Sequence, residues 1–157
     1  MIEQIYTYFT VEMIYLWLNL GVLPFWLVLV FFPQSQICRV FITSIFPIFI
    51  LSVVYGYLLH LFFNEDYDFI RNFELYFGLD SLGSLFTDKA FLILFWTHFL
   101  AMNLFCGGWI VKDSQKFGIN KILISFPLLI TYFIGPIGLT IYWFIRIFYA
   151  KRINLYD

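Results

Sequence analysis

Hydrophobic positions run almost unbroken through four stretches of the chain, roughly residues 13–32, 42–63, 90–111 and 122–148, and polar residues collect in the segments between them. At about 1.5 Å of rise per residue, each stretch is long enough as a helix to cross about 30 Å of hydrocarbon. The runs are continuously apolar, whereas barrel strands would alternate over about ten residues, so helices are predicted. The expected fold is all-α, an integral membrane bundle of four transmembrane helices forming a single membrane domain over residues 1–157.

Prolines interrupt these runs: Pro24 in the first, Pro47 early in the second, Pro127 and the Gly135-Pro136 pair in the fourth. Kinks are expected, most sharply near Pro136. The fourth stretch is longer than a straight helix needs, so it must tilt, bend, break or project past the headgroups. Between the second and third spans, Asn64 to Lys89 forms the long polar connection, with six acids (Glu65, Asp66, Asp68, Glu74, Asp80 and Asp88) against Arg71 and Lys89. Phe69, Phe73 and Tyr76 recur there at helical spacing, which predicts a short interfacial helix. An acidic solvated loop is the alternative. Four spans place both termini and this connection on one side, with Arg39, Lys112, Lys116 and Lys121 on the other; five cations then face four, and the positive-inside rule does not choose an orientation.

Composition agrees with a membrane protein. Hydrophobic residues make up 62% of the chain and charged residues 12%, which a soluble domain of this size would not tolerate. Net charge is −1 with no basic run, so neither nucleic acid nor a polybasic surface for anionic lipid is expected as a partner. Membrane lipid, and a larger membrane assembly or homo-oligomer, are the expected partners. Cys38 and Cys106 lack metal spacing and read as unpaired thiols. Glu3 and Glu12 precede the first apolar run where a basic segment would open a secretory signal, and no Arg- and Ser-rich transit segment is present. A bacterial inner or thylakoid membrane is the simpler location, with a plastid membrane as the other.

Polar groups placed inside the apolar runs are the candidates for chemistry, because burying them in hydrocarbon is costly. Taking the acidic side as reference, His60 lies roughly 5 Å deep, Asn19 about 10 Å and His98 about 13 Å. His60 reads as a residue snorkelling to water. His98 is either a structural interhelical hydrogen bond or a proton carrier, and a metal site from two histidines lacks a third ligand. Asn103 can orient or polarise but not titrate, and helix glue is its bland reading. Gly107 and Gly108 offer a flat surface for close packing or for a polyene, and Trp26 and Trp96, well inside their spans, are candidates to line it. Arg146 is expected on the acidic side, neutralised there by the acidic connection and Glu12, and Asp113 beyond the opposite helix end reads as a cap.

Four features occur in one order: NLGVLPFW (Asn19 to Trp26) followed by Pro33, LFTD before the third run, W-T-H-F-L-A-x-N-L-F-x-G-x-W-I from Trp96 to Ile110, and F-I-G-P-I-G-L (Phe133 to Leu139) followed by Tyr142 and Arg146. Over nearly its whole length the chain resembles the abscisic-acid-deficient-four-like family, whose plant members are linked to neoxanthin synthesis. The resemblance implies a small multi-span protein acting on or near xanthophylls, with a carotenoid ligand, and Asn103 stands where the family pattern usually has Asp. If the plant reaction applies, a 5,6-epoxide end group opens to an allenic alcohol, an isomerisation that needs no redox cofactor but does need an acid and a base. On that reading His98 and Asn103 are the catalytic candidates, and Asn19, Trp26, His60, Trp96 and Gly107 contact substrate. The alternative is a non-catalytic pigment- or lipid-binding protein, or an accessory subunit of a larger complex.

Overall fold

The computed structural model describes residues 9–151, and Glu3 lies outside them. Among the described residues every regular element is helical: α1 (Val11–Phe31), a π-helical turn (Cys38–Ile42), α2 (Phe46–Asn64), a 3-10 segment (Phe69–Tyr76), α3 (Leu79–Phe86), α4 (Lys89–Lys116), α5 (Lys121–Phe133) and α6 (Gly135–Ala150). Contacts among the described residues fall into two compact units, residues 9–20 with 50–100, and residues 21–49 with 101–151.

Three helices, α1, α2 and α4, are long and apolar enough to cross a membrane. The fourth predicted span is not among them, and this corrects the sequence expectation. The apolar run from Ile122 to Phe148 divides at Ile134, where φ and ψ of −140° and 81° leave the helical region. Its two pieces hold 13 and 16 residues, about 20 and 24 Å long, each short of the hydrocarbon thickness.

The two pieces fold back on one another as a hairpin. A Cβ placed on Gly138 would run into the Oγ1, N and Cα of Thr131, so α5 and α6 touch backbone to backbone just past the break. Thr131 donates its own hydroxyl to Pro127 O at 2.7 Å, one turn back in α5. Pro136 begins α6 and lacks the N–H that would have continued α5, a position where proline costs a helix nothing. At the other end Asn120 caps α5, its side chain accepting from Ile122 N at 2.9 Å.

Within the second unit the hairpin is seated on the later halves of α1 and α4. Ser125 Oγ donates to Val30 O (3.2 Å), and the Trp26 and Tyr132 rings meet edge to face at 5.4 Å. Trp26 in turn fills the space that a side chain at position 107 would need: a Cβ on Gly107 would sit 2.8 Å from its Cη2. Gln115 Nε2 donates to Pro33 O at 2.6 Å, closing the far end. In the first unit, Phe86 packs edge-on against Phe91 and Phe95, and Tyr67 donates to Asn72 Oδ1. The expected aromatic segment there is the 3-10 turn, which Asp68 caps by accepting from Ile70 N. Both cysteines are free, and burial pushes the Cys38 thiol up to about 11, which keeps it protonated and unreactive.

Backbone contact at the hairpin should be sensitive to a single methyl group. Gly138→Ala is expected to cost about 1–3 kcal/mol, while Gly83→Ala, with nothing within 4 Å of the new carbon, should be neutral or gain up to about 1 kcal/mol. Unfolding of the detergent-purified variants by denaturant titration measures both.

Candidate functional site

The buried face of α4 is a stripe formed by Leu94, Thr97, Leu100, Leu104, Gly107, Val111 and Ser114, the three- and four-residue spacing of one helix side. Thr97 holds the inward position next to His98 and spends its hydroxyl on Ile93 O. His98 itself is exposed, in line with Phe95, Met102 and Phe105. Its expected place inside the bundle is therefore corrected: at 100° per residue, the residue after an inward threonine turns out. Asn103, five residues on, is about 140° further round the helix and is buried. The two catalytic candidates do not share a face.

Asn103 has a structural task. Tyr132 O would accept from residue 136 in a continuous helix, but Pro136 has no N–H, and Asn103 Nδ2 donates to that orphan carbonyl at 3.4 Å. The Asn103 side chain occupies the place where Gly135 would otherwise carry a Cβ. A glycine at 135 and a short amide at 103 thus make the break in the fourth apolar run possible.

Of the other candidates, Trp26 and Gly107 are buried against each other, as described. Asn19 is half-buried and donates to Tyr15 O one turn back, at 2.6 Å. His60 is exposed, with Asn64 Nδ2 donating to its Nε2 at 3.1 Å. Trp96 is half-buried, stacked on Phe99 and tilted against Tyr15; its Nε1 is buried without a partner among the described residues.

Two arrangements stand out instead. The first is a buried cluster in the second unit: Tyr142 Oη donates to Asp113 Oδ2 at 2.6 Å, and Arg146 Nε donates to the same oxygen at 2.8 Å. Arg146 is only 2% exposed and its guanidinium lies 4.8 Å from the Phe117 ring centre. The expectation that Arg146 is neutralised on the acidic side is overturned, because α6 runs alongside the end of α4 and brings its cation to Asp113. Tyr142 and Arg146 stand one helical turn apart, and Asp113 is the nearest acid before them in the chain; that spacing is the signal that reasoning from sequence passed over.

The second is a groove of about 590 Å³ in the first unit, lined by Val11, Glu12, Tyr15, Leu16, Lys89, Leu92, Ile93 and Trp96. Its wall is apolar and aromatic except where Lys89 Nζ meets Glu12 Oε1 at 3.1 Å, both strongly exposed. Trp96 alone of the sequence-predicted substrate contacts lines it; Asn19, Trp26, His60, His98, Asn103 and Gly107 do not. Among the described residues no group of three or more His, Cys, Asp or Glu could hold a metal ion.

A family model described as ABA DEFICIENT 4-like matches residues 13–142, from the first apolar run to the tyrosine of the buried cluster. The chain belongs to that family. It is similar to the protein named "Protein ABA DEFICIENT 4, chloroplastic" of Arabidopsis thaliana, with 28% identity over 99 residues. The match covers 61% of this chain and 44% of the relative, so the chain spans less than half of that protein's length. No solved structure matches it.

Removing one partner of the buried cluster should be costly because the other charge stays buried. Arg146→Met is expected to lose about 3–5 kcal/mol, and the double variant Asp113→Leu, Arg146→Met should recover most of that loss. Denaturation midpoints of the two variants in the same detergent give the comparison.

Proposed function

We propose that this chain acts in xanthophyll metabolism by receiving the oxygenated ring end of a carotenoid in the groove between Glu12, Tyr15 and Leu16 and Lys89, Leu92 and Trp96. The observation that carries this reading is the groove's division: apolar and aromatic walls for a conjugated chain, and a Glu–Lys pair at 3.1 Å for the polar end. Family membership supports the substrate class, through the link of the plant members to neoxanthin synthesis.

The pair also supplies the acid and base that epoxide opening needs. Glu12 would take the proton from the polyene carbon beside the ring as the C–O bond of the 5,6-epoxide breaks, and Lys89 would give a proton to the leaving oxygen. The product is an allenic alcohol of the same formula, and no redox partner is consumed. Return of the proton from Glu12 to Lys89 across their existing hydrogen bond resets the site. A xanthophyll is about as long as the hydrocarbon is thick, so its ring ends lie at the membrane surfaces. Chemistry at the first residues of two helices therefore suits the substrate better than chemistry at the depth of His98.

A second reading, a pigment-binding protein without turnover, is favoured by the outward His98 and by the water exposure of the Glu12–Lys89 pair, which weakens it as a proton relay. Expression of the full chain in a host that accumulates 5,6-epoxidised xanthophylls, with chromatography of the purified protein and of the cell pigments, separates the two. The proposal expects bound xanthophyll, lost several-fold in Leu16→Trp, and an allenic isomer that disappears in Glu12→Gln while His98→Ala retains it. Bound but unaltered pigment leaves the binding reading alone, and no enrichment over an unrelated three-span protein overturns both.

A further inference from the structure

The second unit contains a groove of its own, about 300 Å³, between the segment Ile42–Ile48 and the side of α4 that carries Leu104, Phe105, Gly108, Trp109 and Lys112, with Leu104 buried at its floor and Lys112 exposed. Gly108 opens it: a Cβ there would lie 3.8 Å from Ile42 O, an ordinary contact, so the position tolerates a side chain and a large one would fill the space. The two hydroxyls in the wall are spent on backbone. Thr43 Oγ1 donates to Arg39 O, and Ser44 Oγ donates to Phe41 O while accepting from Phe46 N.

Lys112 is different. It is exposed, and among the described residues no hydrogen bond or ion pair engages its ammonium. It stands one turn before the end of α4, about 6 Å short of Lys116, the depth at which a lysine stem lies along apolar surface and its head reaches the headgroup layer. The unit around it is strongly basic: Arg39, Lys112, Lys116, Lys121, Arg146 and Lys151 face a single described acid, Asp113, which Arg146 already neutralises.

We infer that this groove is a binding site for an anionic phospholipid, one acyl chain lying along Ile45, Ile48, Leu104 and Phe105 and the phosphate paired with Lys112. Charge complementarity selects the occupant. A zwitterionic lipid offers the same chains but no net charge to a unit with this excess of cations, and a free phosphate offers the charge but leaves the apolar walls in contact with solvent. The sequence alone, with no run of basic residues, argued against such a partner; the excess of cations emerges when they are counted by unit. The inference is independent of the xanthophyll groove, which lies in the other unit.

The test uses the full chain purified in a mild detergent and supplied with phosphatidylglycerol, with phosphatidylcholine of the same acyl chains, or with inorganic phosphate. Phosphatidylglycerol is expected to raise the thermal midpoint by about 5 °C and to remain bound in native mass spectrometry, with the other two additions giving neither effect. Lys112→Glu should abolish the preference for phosphatidylglycerol, and Gly108→Leu should lose the lipid while keeping the cation. Lys121→Glu, an equal change of charge away from the groove, should behave as the parent. Equal stabilisation by phosphatidylcholine, an equal response to phosphate, or retention of the preference in Lys112→Glu overturns the inference.

Discussion

A single carboxylate oxygen, Asp113 Oδ2, holds the C-terminal hairpin to the longest helix of the chain. It takes one hydrogen bond from Tyr142 and one from Arg146, and removing Arg146 would strand its charge in a place with almost no water. Neither α5 nor α6 is long enough to cross the hydrocarbon, so the pair depends on side contacts along α4 rather than on lipid for its position. Asn103 and Gly135 fix the turn, Trp109 and Tyr142 meet midway at 5.7 Å, and Asp113 with Arg146 fixes the far end. Together these contacts line α6 up beside α4 over about ten residues of each helix.

Hydropathy was sufficient to locate α1, α2 and α4, because an apolar run of about 20 residues with few charges has one stable form in a bilayer. The same measure cannot distinguish a run that crosses from one that descends and returns, since both are apolar from end to end. The chemical marks of the return were present, in Gly135, Pro136 and Gly138, and they predicted a kink or break without its direction. Direction follows from Asn103 and Asp113, residues more than 20 positions away in the chain, whose partners no local pattern names. Treating residues 122–148 as one crossing placed Arg146 at the wrong end of α4, and the buried cluster was missed for that reason alone.

The site was legible in part. Trp96 does line a groove, and Trp26 and Gly107 do face inward, although against each other. His98 was singled out by its depth, which position along a helix reports well, and depth says nothing about which way a side chain points. The inward stripe from Leu94 to Ser114 was available in the apolar and small residues of α4, and following it places His98 on the opposite side. Glu12 and Lys89 entered the sequence reading only as separate charges, since surface ion pairs are common and weak; their position at the mouth of an apolar groove gives them interest as a pair, and 77 residues separate them in the chain.

The return of the chain at Ile134 also alters the electrical account of the two ends of α4. With a fourth crossing, the nine basic residues divide five against four; with a hairpin, and among the described residues, Arg146 and Lys151 join Arg39, Lys112, Lys116 and Lys121, while Arg71 and Lys89 remain beside the first turn of α4. Six against two is an imbalance that insertion machinery reads, favouring retention of the richer end on the side of synthesis. A glycine and a proline that interrupt one helix thus give the polypeptide a handedness across the bilayer that its linear charge order conceals.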